Sequence, residues 1–73
     1  MSRHEVESEV TGVIETVEVS VGDTVEEGDV LFIVESMKMQ IPVEATEAGT
    51  VAELLVHSEE LVEVDQVILV IES

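Results

Sequence analysis

Lys38 is the residue whose type and setting most clearly ask for a chemical explanation. It is the only lysine in a chain of 73 residues that carries 18 acidic and two basic side chains. It lies between Met37 and Met39, in the stretch "ESMKMQIPVEA" from Glu35 to Ala45. A lysine amine is a nucleophile once it has lost its proton, and it forms stable amides with activated acyl groups. An unperturbed lysine titrates near about 10.4, so at neutral pH it is protonated and unreactive until something activates it. Nothing beside Lys38 in the sequence offers that activation. The residue therefore suits an attachment point loaded by a separate enzyme better than a catalytic amine. A lysine on a turn is ordinarily just solvated, but a solvated lysine is replaceable, and this chain has dispensed with lysine everywhere else.

The remaining chemistry-bearing residues form no recognisable constellation. His4 and His57 are isolated, no Ser-His-Asp arrangement follows from the spacing, and both rings are expected to be solvated. The acidic pairs Glu26-Glu27 and Glu59-Glu60 match no calcium-loop spacing, so no metal site is expected. Cysteine is absent, which removes disulfides and thiolate chemistry alike. The formal net charge is −16. Such a chain has no cationic surface with which to neutralise phosphates, so neither nucleic acid nor an anionic membrane is an expected partner. No apolar run reaches the roughly 18 residues of a membrane span, and "MSRHEVESE" lacks a signal-peptide core, which makes the cytoplasm the expected location. The acidic side chains are expected to form a solvated shell around the valine core; a sharper reading is adaptation to high salt, where ions screen their mutual repulsion.

The elements that position Lys38 emerge from the apolar residues. Hydrophobic side chains make up 45% of the chain, and Phe32 is the one aromatic. β-branched residues, mostly valine, dominate this fraction and favour sheet over helix. The sequence also repeats itself at an offset of 37 residues. "GVIETVEVSVGDTVEEGDVLFIVES" (Gly12–Ser36) falls on "GTVAELLVHSEELVEVDQVILVIES" (Gly49–Ser73), with seven of 25 positions identical. Each copy opens on a glycine, passes through a turn-rich middle and ends in a short apolar run of the kind that fits a buried strand. Gly22-Asp23 and Gly28-Asp29 read as turns. Glu59 and Asp65 replace Gly22 and Gly28 in the second copy, which leaves the turns over 58–66 unspecified. One copy cannot bury its own apolar face, but two related by a pseudo-twofold axis can. The pattern predicts an all-β sandwich of two four-stranded halves, with strands near 5–10, 12–19, 24–26, 30–36, 39–45, 49–56, 61–64 and 67–72. One domain is expected over residues 1–73. Lys38 then sits at the tip of a hairpin spanning Met37–Gln40, at the opposite end from the termini. Strand alternation would place Met37 and Met39 alike, either filling gaps in the packing or forming an exposed recognition surface.

Around Lys38 the sequence resembles the biotinyl/lipoyl attachment domain family, and the motif Glu-Ser-Met-Lys-Met resembles that of biotin carboxyl carrier domains. The likeness extends over "VGDTVEEGDVLFIVESMKM" and "IPVEATEAGTVAEL", almost the whole chain. It implies a flattened β-barrel of two four-stranded halves. It implies biotin joined to the ε-amine of Lys38, with Met37 and Met39 as the flanks by which a biotin protein ligase selects its lysine, and Glu35 and Ser36 as the preceding motif pair. Gly28 and Gly49 match family glycines that shape the turns placing the hairpin. The implied partners are that ligase, a biotin carboxylase subunit and a carboxyltransferase subunit. The chain itself is then a non-catalytic carrier of an acyl-CoA carboxylase or a biotin-dependent decarboxylase. No inserted thumb segment accompanies the lysine, so the resemblance is to thumbless carriers or to stand-alone biotin/lipoyl attachment proteins. Two rival readings remain. One is a lipoyl carrier of a 2-oxoacid dehydrogenase-like complex, although lipoate-bearing lysines are usually flanked by Asp and Ala. The other is an unmodified acidic adaptor.

Overall fold

A computed structural model describes residues 2–73. Among these residues there are eight strands and no helix. They are β1 (Arg3–Glu7), β2 (Gly12–Val17), β3 (Thr24–Val25), β4 (Val30–Ser36), β5 (Met39–Glu44), β6 (Gly49–Leu54), β7 (Leu61–Val62) and β8 (Val67–Glu72). They form two four-stranded sheets in the orders β1-β8-β6-β3 and β5-β4-β2-β7. Every pairing is antiparallel. The eight expected strands are all present, and several are shorter than expected. β3 and β7 pair over only two residues each.

The sheets do not follow the two sequence halves. Each takes strands from both, because β1 pairs with β8 and β7 pairs with β2. The 37-residue offset nevertheless recurs throughout. It exchanges the two sheets and carries their irregularities across. The bulge between Ile14 and Thr16 in β2 has its counterpart between Val51 and Glu53 in β6. That between Val30 and Phe32 corresponds to the shift at Val6/Glu7 opposite Val67 and Leu69.

The core is the space between the sheets. Ile14, Leu31, Phe32, Val34, Val62, Ile68, Leu69 and Ile71 are fully buried there. The continuous apolar runs occupy the inner strands β4 and β8. In β8 even the outward-facing Val70 is only 1% exposed. It pairs with Glu5 on one side and Glu53 on the other, and long side chains of this kind shield an apolar neighbour with their stems.

The turns of the second copy reproduce those of the first without their glycines. In copy one, Gly22 and Gly28 have φ of 97° and 94°, and their N–H groups donate to Val51 O and Ala45 O. In copy two, Glu59 and Asp65 hold φ of 72° and 71°, and their N–H groups donate to Ile14 O and Ser8 O. The side-chain caps match as well. Ser20 N donates to Asp23 Oδ2 and Glu26 N to Asp29 Oδ2, both at 2.8 Å. At the equivalent places His57 N donates to Glu60 Oε1 and Glu63 N to Gln66 Oε1. Tertiary hydrogen bonds thus impose a left-handed backbone that the residue types do not favour.

Two further glycines are required by close approach. A Cβ on Gly12 would collide with the carbonyl oxygen of Glu35, and one on Gly49 with that of Glu72. Gly49 was expected to shape a turn near the hairpin. Instead it opens β6 against the end of β8, and Gly12 is the glycine that seats the β4 end of the hairpin.

Candidate functional site

Strands β4 and β5 pair continuously up to Ser36 and Met39. Only Met37 and Lys38 lie between, and both have left-handed backbones, with φ of 52° and 66°. Two central residues at positive φ define the type I′ hairpin turn, whose twist matches that of the flanking strands. Asn-Gly is the usual choice there. A residue with a Cβ costs about 1–2 kcal/mol in this conformation, and a β-branched one fits worse still. Methionine and lysine, unbranched at Cβ, are tolerable. The turn is thus two residues rather than the expected Met37–Gln40, and Met39 and Gln40 belong to β5. Met37 and Met39 are not related by strand alternation, because Met37 is in the turn itself. Both are exposed, at 92% and 63%.

The hairpin is braced at its base. Ser36 Oγ donates to Thr11 O at 2.8 Å. Gln40 Nε2 donates to Glu15 Oε2 at 2.7 Å. Glu35 pairs with Gln40 across the hairpin and with Val13 on the other side. Sequence reasoning named Glu35, Ser36 and the Met37–Gln40 segment but missed Thr11, Gly12 and Glu15. The pairing of β2 with β4 brings these three to the site.

The two cations of the chain differ in their surroundings. Arg3 pairs with Glu53 and, at 3.6 Å, with Glu72. The hydrogen bond to Glu53, followed by its charge, raises the guanidinium pKa above its ordinary value. Lys38 is exposed and has no ion pair among the described residues. The amine is therefore free to be reached from outside, on a post held by two paired strands and two side-chain braces. An exposed amine in this position is accessible to an external acylating agent.

The two histidines lie apart from the hairpin. His57 is largely exposed beside Glu60 at 3.4 Å. His4 is half-buried rather than freely solvated as expected, with Glu47 at 3.0 Å and Ser73 Oγ at 3.1 Å. Both partners contact its Nε2, so no relay runs through the two ring nitrogens as acyl-transfer triads require. No group of three or more metal-ligating side chains occurs among the described residues. Among the described residues no helix is long and apolar enough to cross a membrane.

The family model described as "Biotin-requiring enzyme" matches residues 6–71, including the whole hairpin. The chain belongs to the biotinyl attachment-domain family. This biotinyl domain is 40% identical over 67 residues to the "Biotinylated protein TB7.3 homolog" of Mycobacterium leprae, covering 92% of this chain and 94% of that protein. It is 46% identical over 54 residues to the biotin carboxyl carrier protein of acetyl-CoA carboxylase from Haemophilus influenzae, covering 74% of this chain and 35% of that one. Among solved structures it is similar to a segment of the urea carboxylase of Kluyveromyces lactis, with a TM-score of 0.92 and 35% identity. That match covers 99% of this chain and 6% of the larger one. A single-chain long-chain acyl-CoA carboxylase matches with a TM-score of 0.88 and 25% identity, over 93% of this chain and 7% of its own length. The biotinyl domain thus spans nearly all of the mycobacterial relative, about a third of the carrier protein and a small part of each carboxylase chain. Its carrier relatives make it a non-catalytic carrier component, and Lys38 presents an exposed amine.

Proposed function

We propose that this chain is a biotin carboxyl carrier in which Lys38 bears biotin through an amide on Nζ. It presents that biotin in turn to a biotin carboxylase and a carboxyltransferase of an acyl-CoA carboxylase-type enzyme. The observation that carries this reading is Lys38 itself: an exposed amine, in no ion pair among the described residues, at the apex of a braced two-residue turn. The residues fit the group, since the Lys38 side chain is exposed and forms no ion pair among the described residues. When bound, biotin supplies a ureido nitrogen that accepts a carboxyl group and gives it up.

The contribution of the chain is positional. The type I′ turn fixes the direction in which the lysine leaves the sheet, and the four-carbon stem adds reach. Tethering raises the local concentration of the carried group at each enzyme to about the millimolar range without any new contact. The methionine flanks provide exposed apolar side chains for the loading ligase. The acidic surface keeps the domain soluble and directs it to basic partner surfaces. The cytoplasmic location expected from the sequence belongs with this reading.

Intact-mass spectrometry of the protein from its own host provides the test. One biotinyl adduct is expected on the wild-type chain and none on Lys38→Arg. A lipoyl adduct would support the lipoyl carrier instead. An unmodified wild-type chain beside an active ligase would refute both carrier readings.

A further inference from the structure

The internal symmetry supplies a control for the surface around Lys38. On the outer face of the β5-β4-β2-β7 sheet, cross-strand pairing aligns Gln40, Glu35, Val13 and Leu61 in one row. Paired residues point to the same face of a sheet, and this row lies one step below the Ser36–Met39 pair that closes the turn. The 37-residue offset places Arg3, Glu72, Thr50 and Thr24 in the equivalent row of the other sheet, with the same pairing. One corner thus carries two threonines where the other carries Val13 and Leu61, which are 38% and 63% exposed. The backbone accepts threonine at these places, so the fold does not demand the apolar pair. Its presence is confined to the corner that holds Lys38.

We propose that Val13 and Leu61 form the docking surface for the ligase that loads Lys38, an inference that rests on the biotin carrier reading above. The ligase is favoured over the later enzymes by reach. Its reacting atom is Nζ, which four methylenes hold within roughly 6 Å of the backbone. Its own surface must therefore close over the turn and the adjoining sheet. Enzymes that act on the carried group work at the end of a longer tether. Strands are about 4.8 Å apart, so Val13 and Leu61 lie roughly 5 and 10 Å across the sheet from Glu35. An interface of ordinary size buries about 800 Å² on each partner, and one centred on the turn covers both. The patch has the make-up of such an interface, apolar at its centre and charged at its rim. The rim here is Glu15, Glu35, Glu60 and Glu63. The matching ligase surface is an apolar patch bordered by lysines and arginines.

The decisive variant is Val13→Thr with Leu61→Thr, which installs the residues of the equivalent row. Its melting curve should match that of wild type. With the host's own ligase, the KM for the apo carrier should rise roughly tenfold with little change in kcat. In a Lys38→Arg background, which cannot react, the Kd for the ligase should rise by a similar factor. The mirror variant, Thr24→Leu with Thr50→Val, should leave KM unchanged. Unchanged KM and Kd in the Val13/Leu61 double variant would overturn the proposal while Lys38-dependent biotinylation of wild type still upheld the carrier reading. A variant loaded normally but poorly used by the carboxylase would also overturn it, assigning the patch to that enzyme. A wild-type chain that the ligase does not modify would overturn both.

Discussion

At the residue scale, Lys38 is exposed and forms no ion pair among the described residues, whereas Arg3 is bound to Glu53 and Glu72. Its uniqueness in an acidic chain was legible in the sequence, as was its place on a hairpin. The turn length was not. Type I′ turns announce themselves through Asn-Gly, and Met37-Lys38 carries no such signal. The period-2 expectation for Met37 and Met39 consequently ran through a turn that interrupts it. The left-handed backbone of Met37 also predicts a conflict between stability and recognition. Met37→Asn puts a residue that tolerates this conformation into the turn. It should stabilise the fold by about 1 kcal/mol, which corresponds to a rise in melting temperature of roughly 4–8 °C for a domain of this size. On the carrier reading the same variant should be loaded more slowly by the ligase. Thermal denaturation and a ligation time course on one preparation would measure both.

At the scale of elements, the strands were readable because valine-rich runs and turn dipeptides alternate along the chain. The interleaving of the two halves was not, since the pairing of β1 with β8 and β2 with β7 joins segments whose local patterns are silent about each other. The turns over 58–66 were also beyond reach. Without glycine they lack the local signal, and their shape comes from the hydrogen bonds to Ile14 O and Ser8 O. This origin carries a prediction. Glu59→Gly and Asp65→Gly should each stabilise the domain, by up to about 1 kcal/mol, as the relief of left-handed strain outweighs the entropy of glycine in the unfolded chain. The gain should be larger at Glu59, because aspartate tolerates this region better than glutamate. Denaturant titration of the two variants would measure it, and a loss of stability at both would show that the backbone there is not strained.

At the scale of the whole molecule, a net charge of −16 on 73 residues opposes the compact state and shapes its encounters. Screening shortens from about 8 Å at physiological salt to about 3 Å at molar salt. On the expectation of salt adaptation, the melting temperature should climb steadily with KCl into the molar range. A flat curve would remove that expectation without touching the carrier reading. The same charge implies that loading by a ligase with a basic rim slows as salt rises, through a slower association rate. The all-β class and the symmetric halves were visible in composition and repeat. On the carrier reading, the acceptor of the carboxyl group is set by partner enzymes, and this chain contributes Lys38 as its loading site. The most direct test is the intact mass of the wild-type and Lys38→Arg proteins recovered from the native host with its ligase active. One biotinyl adduct on the wild-type chain and none on the variant is the expected result, and a wild-type chain that stays unmodified or carries lipoate would contradict it.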